Sequence, residues 1–289
     1  MAVEIKNLTY VYNPKSPFEK RALDNVSLEV ADGDFFGIIG QTGSGKSTLI
    51  SHMNALTRVQ TKLNNGATLN VCGIDLTAKK PDLKGLRERV GMVFQYPEYQ
   101  LFADSVAQDV AYGPKNLGLD KEEIDARVRE AIGRVGLIYD EIAERSPFEL
   151  SGGQKRRAAI AGVIAMRPEL LILDEPTAGL DPRGKKEILD LLRELKNTCP
   201  TIIMVSHNMD EVAECCNKVA VLGEGKIMGV FTPAELFSRR ELIKSLGLEL
   251  PTVTELASFL AEAGLAINAA TLTEETLVTE IAAALGTKS

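Results

Sequence analysis

The sequence Gly40-Gln-Thr-Gly-Ser-Gly-Lys-Ser-Thr48 determines how the rest of the chain is interpreted. It fits the pattern Gly-x-x-x-x-Gly-Lys-[Ser/Thr], in which glycines bring backbone N–H groups against phosphate oxygens. The apolar run at residues 35–39 predicts a buried strand before the loop, and residues 48–56 predict a helix after it. Strand, loop and helix together predict a phosphate-binding site, because a helix N-terminus adds partial positive charge where the anion lies.

Every residue of this loop is expected to contact a nucleotide. The set is Gly40, Gln41, Thr42, Gly43, Ser44, Gly45, Lys46, Ser47 and Thr48. Lys46 is expected to reach the β- and γ-phosphates, and the Ser47 hydroxyl is expected to hold Mg²⁺. An aromatic side chain of the first predicted strand can stack on the adenine ring. Tyr12 is the predicted residue, and Tyr10 is its rival.

The composition is that of an ordinary globular protein. The 289 residues are 45% hydrophobic and 25% charged, and the formal net charge of −7 disfavours a nucleic-acid partner held by bulk electrostatics. No apolar run approaches the roughly 18 residues that span a bilayer, and the N-terminal sequence has no signal-peptide pattern. The four cysteines lack metal-ligand spacing and are expected to be reduced thiols of a cytosolic protein.

Apolar periodicity along the chain predicts mixed α and β structure. Strands are predicted at residues 3–12, 23–30, 67–71, 90–95, 170–173 and 201–205, and a closing hairpin at residues 219–222 and 226–230. Residues 120–135 change to a helical period and indicate a mostly helical insertion at about residues 96–166. After about residue 245 two more helices are expected, the second with a capping box formed by Thr271 and Glu274.

Two carboxylates follow the apolar run at residues 170–173. Asp174, at the end of that predicted strand, suits a water-mediated contact to the Mg²⁺ near Ser47. Glu175 comes one residue later, faces the other way, and can polarise an attacking water as a general base. Behind a phosphate-binding loop, this acidic pair predicts hydrolysis of the nucleotide.

Two further polar residues are predicted to be catalytic. Gln95 ends the strand at residues 90–95, where its side chain can reach Mg²⁺ or the attacking water. His207 follows the strand at residues 201–205, where a neutral imidazole can hydrogen-bond the γ-phosphate and orient water. The other histidine, His52, is interpreted as structural. The aromatic segment after Gln95, residues 96–102, either lines a groove for a partner or packs under the helical insertion.

The sequence Leu150-Ser-Gly-Gly-Gln154 precedes a helical pattern at residues 155–166. Ser151 can cap this helix, and Gly152 and Gly153 expose N–H groups at its positive end. Residues Ser151 to Gln154 are therefore a second predicted anion site, unless the glycines serve only as a flexible entry to the helix. Two half-sites in one chain predict a dimer, in which each nucleotide lies between the phosphate-binding loop of one chain and this segment of the other.

Taken together, these motifs resemble those of the ATP-binding subunits of ABC transporters. The phosphate loop, glutamine loop, Leu-Ser-Gly-Gly-Gln signature, acidic strand end, Ala178-Gly-Leu-Asp181 loop and histidine loop occur in the family's order over roughly residues 3–240. The resemblance implies an α/β fold, namely a P-loop NTPase core of the ABC ATPase type. It implies a nucleotide-binding domain at residues 1–244, with the helical insertion inside it, and a small C-terminal helical subdomain at residues 245–289. It also implies ATP hydrolysis, with ATP and Mg²⁺ bound.

Within that family the chain is most similar to the ATPases of energy-coupling factor transporters, which import vitamins and transition-metal ions in prokaryotes. Residues 94–102, 110–115 and 151–157 carry this similarity. Residues 16–23 and 174–182 look like those of the second of two paralogous ATPases in such complexes. The resemblance implies a heterodimer with a paralogous ATPase, a transmembrane scaffold protein and substrate-binding membrane subunits, at the cytoplasmic face of the cell membrane.

Other functions share parts of this pattern. An ATPase of another ABC importer or exporter class would carry the same motifs. A soluble ABC ATPase that acts on ribosomes or DNA ends usually has two ATPase domains or long coiled coils, whereas this chain has one motif set and no extended heptad tract. An ATP-binding regulatory module without hydrolysis is disfavoured because Glu175 and His207 are both present.

Overall fold

The computed structural model describes residues 1–64, 66–197, 199 and 201–286, which form two β-sheets and surrounding helices. The strands are β1 (Val3–Tyr12), β2 (Lys20–Val30), β3 (Phe35–Ile39), β4 (Thr68–Val71), β5 (Ile74–Asp75), β6 (Val90–Val93), β7 (Leu170–Asp174), β8 (Thr201–Val205), β9 (Lys218–Gly223) and β10 (Lys226–Phe231). The helices are α1 (Lys46–Met53), α2 (Leu83–Arg89), α3 (Val106–Asn116), α4 (Lys121–Arg134), α5 (Tyr139–Ile142), α6 (Gly152–Ile164), α7 (Pro182–Leu195), α8 (Met209–Cys215), α9 (Pro233–Ser238), α10 (Arg240–Ser245), α11 (Thr252–Glu262) and α12 (Glu274–Gly286). Short 3-10 turns lie at Pro97–Gln100 and Pro147–Glu149.

The larger sheet brings the predicted motifs to one edge. Its strand order is β10-β9-β3-β8-β7-β6, and every neighbouring pair except β10 and β9 is parallel. Parallel strands present their carboxyl ends at the same edge, which is where open α/β sheets bind ligands. The segments that follow β3, β6, β7 and β8 therefore meet there, although they are far apart in sequence.

Successive residues of each central strand face two different cores. In β7, Leu170 and Ile172 belong to one buried cluster, whereas Leu171 and Leu173 belong to the other. Side chains alternate across a strand, so a sheet covered on both faces needs continuous apolar runs. This explains why the strands at residues 35–39, 170–174 and 201–205 contain almost no polar residues.

The two cores contain different elements. One holds Leu49 and Ile50 of α1 together with the second sheet, which is antiparallel in the order β2-β1-β4-β5. The other holds residues of the helices between β6 and β7, including Val110 of α3, Val128 of α4 and Ile160 of α6. The helices between β6 and β7 are thus packed into the core beneath the sheet, and α6 places its N-terminus away from the loop that precedes α1.

Most predicted strands and helices are confirmed, with shifts at their ends. The predicted strand at residues 90–95 ends at Val93, and the chain then turns at Tyr96, which has a left-handed backbone with φ of 55°. The predicted helix at residues 48–56 begins at Lys46 and ends at Met53, and Ala55 has a positive φ of 52°. The helix predicted to start at residue 155 begins at Gly152.

The predicted capping box of Thr271 and Glu274 is wrong. The Thr271 hydroxyl donates to the Asn268 carbonyl at 2.9 Å and bonds the Glu280 carboxylate at 2.9 Å. Thr273 instead accepts from the Thr276 backbone N–H at 3.3 Å and caps α12. Thr271 and Thr273 have the same capping chemistry, and the tertiary hydrogen bonds of Thr271 leave Thr273 as the cap of α12.

The phosphate-binding loop is packed tightly against β9. Gly40 has a φ of 149°, and a Cβ atom placed there would lie 2.0 Å from the Leu222 carbonyl oxygen. Gly43 has a φ of 82°, but a Cβ atom there would meet nothing closer than 3.9 Å. Any side chain at position 40 would clash with the β9 backbone, whereas at position 43 only the left-handed backbone favours glycine.

We predict that Gly40→Ala lowers the free energy of unfolding by about 3 kcal/mol or more, because backbone atoms cannot yield to the new methyl group. The matched variant Gly43→Ala should cost only about 1–2 kcal/mol, the usual penalty of a left-handed alanine. Urea unfolding of both variants measures the difference. Equal losses would contradict the packing described for Gly40.

Candidate ATP-binding and hydrolysis site

A cavity of about 1150 Å³ opens at the carboxyl edge of the larger sheet. Of the predicted site residues it is lined by Tyr12, Gly40, Gln41, Thr42, Gly43, Gly45, Lys46, Ser47, Thr48, Gln95, Glu175 and His207. Its volume exceeds the usual range of about 300–1,000 Å³ for a small-molecule pocket. Predicted site residues from the smaller sheet and from the segments that follow four strands of the larger sheet thus meet around one space.

Lys46 points into its own loop. Its ammonium donates to the carbonyl oxygens of Gly40 at 2.7 Å and Gln41 at 3.0 Å. Burial lowers the pKa of Lys46, and the charges of Glu175 and Asp174 oppose that fall. Ser44, a predicted contact of the nucleotide, is buried and does not line the cavity, and its backbone N–H donates to the Gln41 carbonyl oxygen at 3.1 Å within the loop. A buried cation held by carbonyl groups is prepared to accept phosphate oxygens.

Asp174 and Glu175 differ in surroundings although they are neighbours. Burial raises the pKa of the Asp174 carboxyl, the adjacent Glu175 charge adds to the rise, and Lys46 opposes it. Asp174 pairs with Val205 of β8 in parallel register, while Glu175 has left the strand with a φ of 49°. The left-handed backbone turns the Glu175 carboxylate into the cavity.

The three predicted catalytic side chains are in contact. Gln95 Nε2 donates to Glu175 Oε2 at 2.8 Å, and His207 Nδ1 lies 3.3 Å from Glu175 Oε1. Gln95 and His207 come from the segments after β6 and β8, on either side of β7. Glu175 is therefore flanked by one group on each carboxylate oxygen, and both neighbours line the same cavity.

The residues predicted to hold Mg²⁺ offer hard oxygen ligands. A hydroxyl, a carboxamide and a carboxylate, from Ser47, Gln95 and Asp174, suit Mg²⁺ better than softer metals. The partly buried Asp174 carboxylate lies beside a second acid, so a cation would relieve the repulsion between the two charges. Among the described residues, no group of three or more histidine, cysteine, aspartate or glutamate side chains forms a metal cage.

The two tyrosines have different positions. Tyr12 lines the cavity, is partly exposed, and its hydroxyl lies 3.0 Å from Thr48 Oγ1. Tyr10 packs on the core and meets the rings of His52 and Tyr12 edge-on, at centroid distances of 4.7 and 4.9 Å. Tyr12 is thus available for stacking and Tyr10 supports it. His52 is fully buried and its Nδ1 lies 2.8 Å from the Thr48 carbonyl oxygen, as a structural histidine would.

The signature residues do not line this cavity. Ser151 accepts from the Gln154 backbone N–H at 3.3 Å, and the Gln154 side chain accepts from the Ser151 N–H at 3.0 Å. This capping box leaves Ser151, Gly152 and Gly153 exposed at the N-terminus of α6. Within one chain, the two predicted anion sites are therefore separate.

Sequence reasoning missed some cavity residues. Lys20 faces Tyr12 across the β1–β2 ladder and lines the cavity. The segment after α10 also lines it, including Gly247 and Glu255. That segment is tied down by Asp210, which accepts from the Thr252 N–H at 2.7 Å and its hydroxyl at 2.9 Å. The positive charge of Lys20, opposite Tyr12, was a sequence signal for a phosphate-binding site, whereas nothing in the sequence linked Gly247 to the cavity.

A second cavity of about 550 Å³ lies next to the segment that follows Gln95. Leu101 is buried in its wall, while Phe102 and Tyr112 are 61% and 54% exposed and meet edge-on with centroids 5.0 Å apart. Leu101 is therefore buried in the wall and Phe102 lines a groove, while the binding of a partner in this groove stays a prediction. We call this cavity the aromatic groove, defined by Met92, Phe94, Leu101, Phe102 and Tyr112.

Comparisons with known proteins give a consistent result. The ABC transporter family model matches residues 23–178. The chain is 49% identical to the energy-coupling factor transporter ATP-binding protein EcfA2 of Clostridium tetani over 269 residues, which are 93% of this chain and 92% of that protein. It is 44% identical to the EcfA2 protein of Bacillus licheniformis over 288 residues, which are 98% of this chain and 97% of that protein.

Solved structures agree with the fold. One is cbiO1 from Clostridium perfringens, part of the ABC transporter complex cbiONQ, with 36% identity and a TM-score of 0.72 over 88% of this chain and 98% of that chain. Another is the dimeric post-hydrolysis state of the ATP-binding cassette MJ0796 bound to ADP and Pi, with 26% identity and a TM-score of 0.69 over 80% and 98%. Over the described ranges of the present chain, no helix has the length and apolar character to cross a bilayer.

We predict that Asp174→Asn stabilises the nucleotide-free chain at neutral pH. The folded-state pKa of Asp174 is raised, so its ionisation costs stability above that pKa and costs nothing below the ordinary carboxyl pKa of about 3.9. Near pH 7 the variant should therefore gain about 1–4 °C in Tm, and the gain should shrink on acidification.

Thermal unfolding scans at several pH values measure this effect. Asp125→Asn, on the exposed side of α4, is the matched control and should change Tm little at any pH. A lower Tm for Asp174→Asn at neutral pH would contradict the assigned burial cost.

Proposed function

This chain belongs to the ABC transporter family and, within it, to the ATP-binding proteins of energy-coupling factor transporters, and we propose that it hydrolyses ATP at Glu175 to power uptake of vitamins or transition-metal ions. The observation that carries the proposal is the meeting of Gln95 and His207 on the Glu175 carboxylate, in the cavity formed by the phosphate-binding loop.

In the proposed mechanism, Lys46 exchanges its loop carbonyls for the β- and γ-phosphate oxygens of ATP. The N–H groups of the loop and of the first turn of α1 contact the remaining phosphate oxygens. Tyr12 stacks on the adenine ring, and Lys20 lies beside it at the same wall. Positioning of this kind supplies most of the catalysis in phosphoryl transfer.

Glu175 acts as the general base. A water between its carboxylate and the γ-phosphate loses a proton to Glu175 while its oxygen attacks the γ-phosphorus. The bond from that phosphorus to the bridging oxygen breaks, which releases ADP and phosphate. Gln95 and His207 orient the carboxylate and the water, because each contacts a different oxygen of Glu175.

We propose that Ser47, Asp174 and Gln95 hold Mg²⁺ together with the nucleotide, with Asp174 acting through water. When bound, Mg²⁺ supplies positive charge that neutralises the β- and γ-phosphate oxygens. The support is the hard oxygen chemistry of these three side chains and the burial of the Asp174 carboxylate beside Glu175.

The separation of the signature from the cavity supports a composite site. Ser151, Gly152, Gly153 and Gln154 are exposed or partly exposed at the N-terminus of α6, where they can close over the γ-phosphate of a nucleotide held by a partner. We propose that the partner is a second, paralogous ATPase subunit, so that two ATP molecules lie between the two chains. ATP then drives closure because it binds the closed dimer better than the open one.

The aromatic groove is the proposed docking site for a helix of the transmembrane scaffold protein. Its lining combines apolar and aromatic side chains with charged ones such as Lys84 and Glu88, it adjoins Gln95 through residues 96–102, and it exposes the rings of Phe102 and Tyr112. Scaffold binding would place this chain at the cytoplasmic face of the cell membrane, and separate membrane subunits would bind the transported substrate. The groove connects the site of ATP turnover with the membrane subunits.

We also propose that the chain divides into a nucleotide-binding domain at residues 1–244 and a C-terminal helical subdomain at residues 245–289. Ala257, Ile267 and Leu277 form a small buried cluster apart from the two sheet cores, which supports this division. The Asp210–Thr252 hydrogen bonds tie the subdomain to the helix after His207.

We predict that Glu175→Gln, in the assembled transporter, retains ATP binding and loses hydrolysis by about 100-fold or more, because the amide keeps the shape but cannot accept the proton. Lys46→Ala should lose both binding and hydrolysis. Nucleotide affinity and single-turnover hydrolysis distinguish the two variants. Unimpaired single-turnover hydrolysis by Glu175→Gln would remove Glu175 from the catalytic role.

We predict that the double variant Phe102→Ala/Tyr112→Ala detaches the chain from membranes and keeps its affinity for ATP, because it removes the exposed rings of the aromatic groove. Sedimentation of the tagged chain with host membranes measures attachment. Phe18→Ala, an exposed aromatic of the β1–β2 loop outside the groove, is the matched control and should leave attachment unchanged. Equal attachment of both variants would reject the groove as the docking site.

A further inference from the structure

The segment after Glu175 is held by buried charges from both sides. On one side lies Arg156 of α6, which is 1% exposed, and on the other lies Glu211 of α8, which is 3% exposed. Between them runs the segment Pro176-Thr177-Ala178, which directly follows Glu175 in sequence. Neither charged residue lines the nucleotide cavity.

Arg156 uses all three of its nitrogen atoms. Nη1 donates to the carbonyl oxygens of Pro176 at 3.2 Å and Ala178 at 2.8 Å. Nε and Nη2 donate to the two carboxylate oxygens of Glu98, at 3.0 and 2.8 Å. A planar guanidinium suits this arrangement because its donors form a rigid fork, which a lysine cannot reproduce.

Glu211 completes the arrangement from the opposite side. Its carboxylate accepts from the Thr177 hydroxyl at 2.5 Å and from the Ser206 hydroxyl at 2.8 Å. Ser206 immediately precedes His207, and the Glu175 N–H donates to the Val205 carbonyl at 2.9 Å. The loops that carry Glu175 and His207 are therefore joined by one buried carboxylate.

Glu98 connects this network to the aromatic groove. It lies on the 3-10 turn Pro97–Gln100, and Gln100, Leu101 and Phe102 line the groove directly after it. The turn also begins two residues after Gln95, whose side chain contacts the Glu175 carboxylate. A displacement of the turn would thus reach Glu175 by two routes, through Gln95 and through Arg156.

We propose that Arg156 and Glu211 are positioning residues that hold the left-handed turn at Glu175 in its hydrolytic geometry, and that Arg156 links this turn through Glu98 to the aromatic groove. The proposal rests on the proposed role of Glu175 as the general base. Neither residue touches ATP, so both act through the segment Pro176–Ala178. Buried networks of this kind stay ordered only while every member is satisfied.

The network predicts a loss of turnover without a loss of nucleotide binding. Thr177→Val removes the hydroxyl that donates to Glu211 and preserves the shape of the side chain, whereas Thr177→Ser keeps the hydroxyl. In the assembled transporter, Thr177→Val should lower kcat by about 10–100-fold with an ATP Kd within about twofold of wild type. Thr177→Ser should retain most of the wild-type kcat.

Arg156→Lys tests the other side. The lysine keeps the positive charge but cannot bond Glu98 and the Pro176–Ala178 carbonyls at the same time. We therefore expect a similar fall in kcat and less substrate transported per ATP hydrolysed. Arg157→Lys is the matched control, because Arg157 is also largely buried and bonds a carboxylate and a carbonyl, those of Glu187 and Val135, which line neither the nucleotide cavity nor the aromatic groove. It should leave kcat and the transport ratio unchanged.

Glu175→Gln is measured in parallel so that two failures can be told apart. If Glu175→Gln is inactive while Thr177→Val and Arg156→Lys turn over normally, the positioning role is wrong and the proposed function stands. If Glu175→Gln hydrolyses ATP normally, the proposed function and this inference both fall. If Thr177→Val loses kcat and Thr177→Ser loses it equally, the hydroxyl is irrelevant and the role of Glu211 is overturned.

Discussion

The parallel register of β7 and β8 is the constraint on which the site depends. It pairs Asp174 with Val205, so the next residue, Glu175, can donate its N–H to the Val205 carbonyl while its backbone turns left-handed. Such a backbone costs an ordinary residue about 1–2 kcal/mol, and it persists where the surrounding structure fixes it. Here β7 and β8, which are buried on both faces, fix the Glu175 backbone and so offset this cost. The result is a carboxylate that leaves the sheet at one defined point and meets side chains from the segments that follow both neighbouring strands.

Charge is distributed so that the site favours an anionic ligand with its own cation. Lys46 is buried and its ammonium donates to loop carbonyl oxygens, while Asp174 is partly buried beside Glu175. The charged form of each group costs free energy inside the protein, and a partner of opposite charge lowers that cost. A bound triphosphate would supply the negative charge beside Lys46, and a bound metal ion would supply the positive charge beside Asp174. The signature of α6 lies elsewhere in the chain, so a second chain is needed to close the proposed site, and ATP binding and subunit association become linked.

Much of this arrangement could be predicted from the sequence. Buried parallel strands are continuous apolar runs, and the motifs that follow them must meet at one sheet edge, so Lys46, Glu175 and His207 were placed together correctly. The contacts that tune the site were not predictable. Arg156 and Glu98 are 58 residues apart and bond only because α6 packs against the turn after β6. The early end of β6 at Val93, which leaves Gln95 outside the strand, and the lining segment near Gly247 likewise arise from tertiary packing that local periodicity does not encode.

The central claim is that this ATPase works as one of a pair on a membrane scaffold. Affinity purification of the tagged wild-type chain from gently solubilised membranes of its host, followed by mass spectrometry, tests it most directly. The account predicts a second ATPase subunit, one transmembrane scaffold protein and small substrate-binding membrane proteins in the same complex. Recovery of a dedicated permease pair alone would reject the energy-coupling factor assembly. Recovery of ribosomes or DNA-repair proteins, with no membrane protein, would contradict the claim of transport while leaving the fold intact.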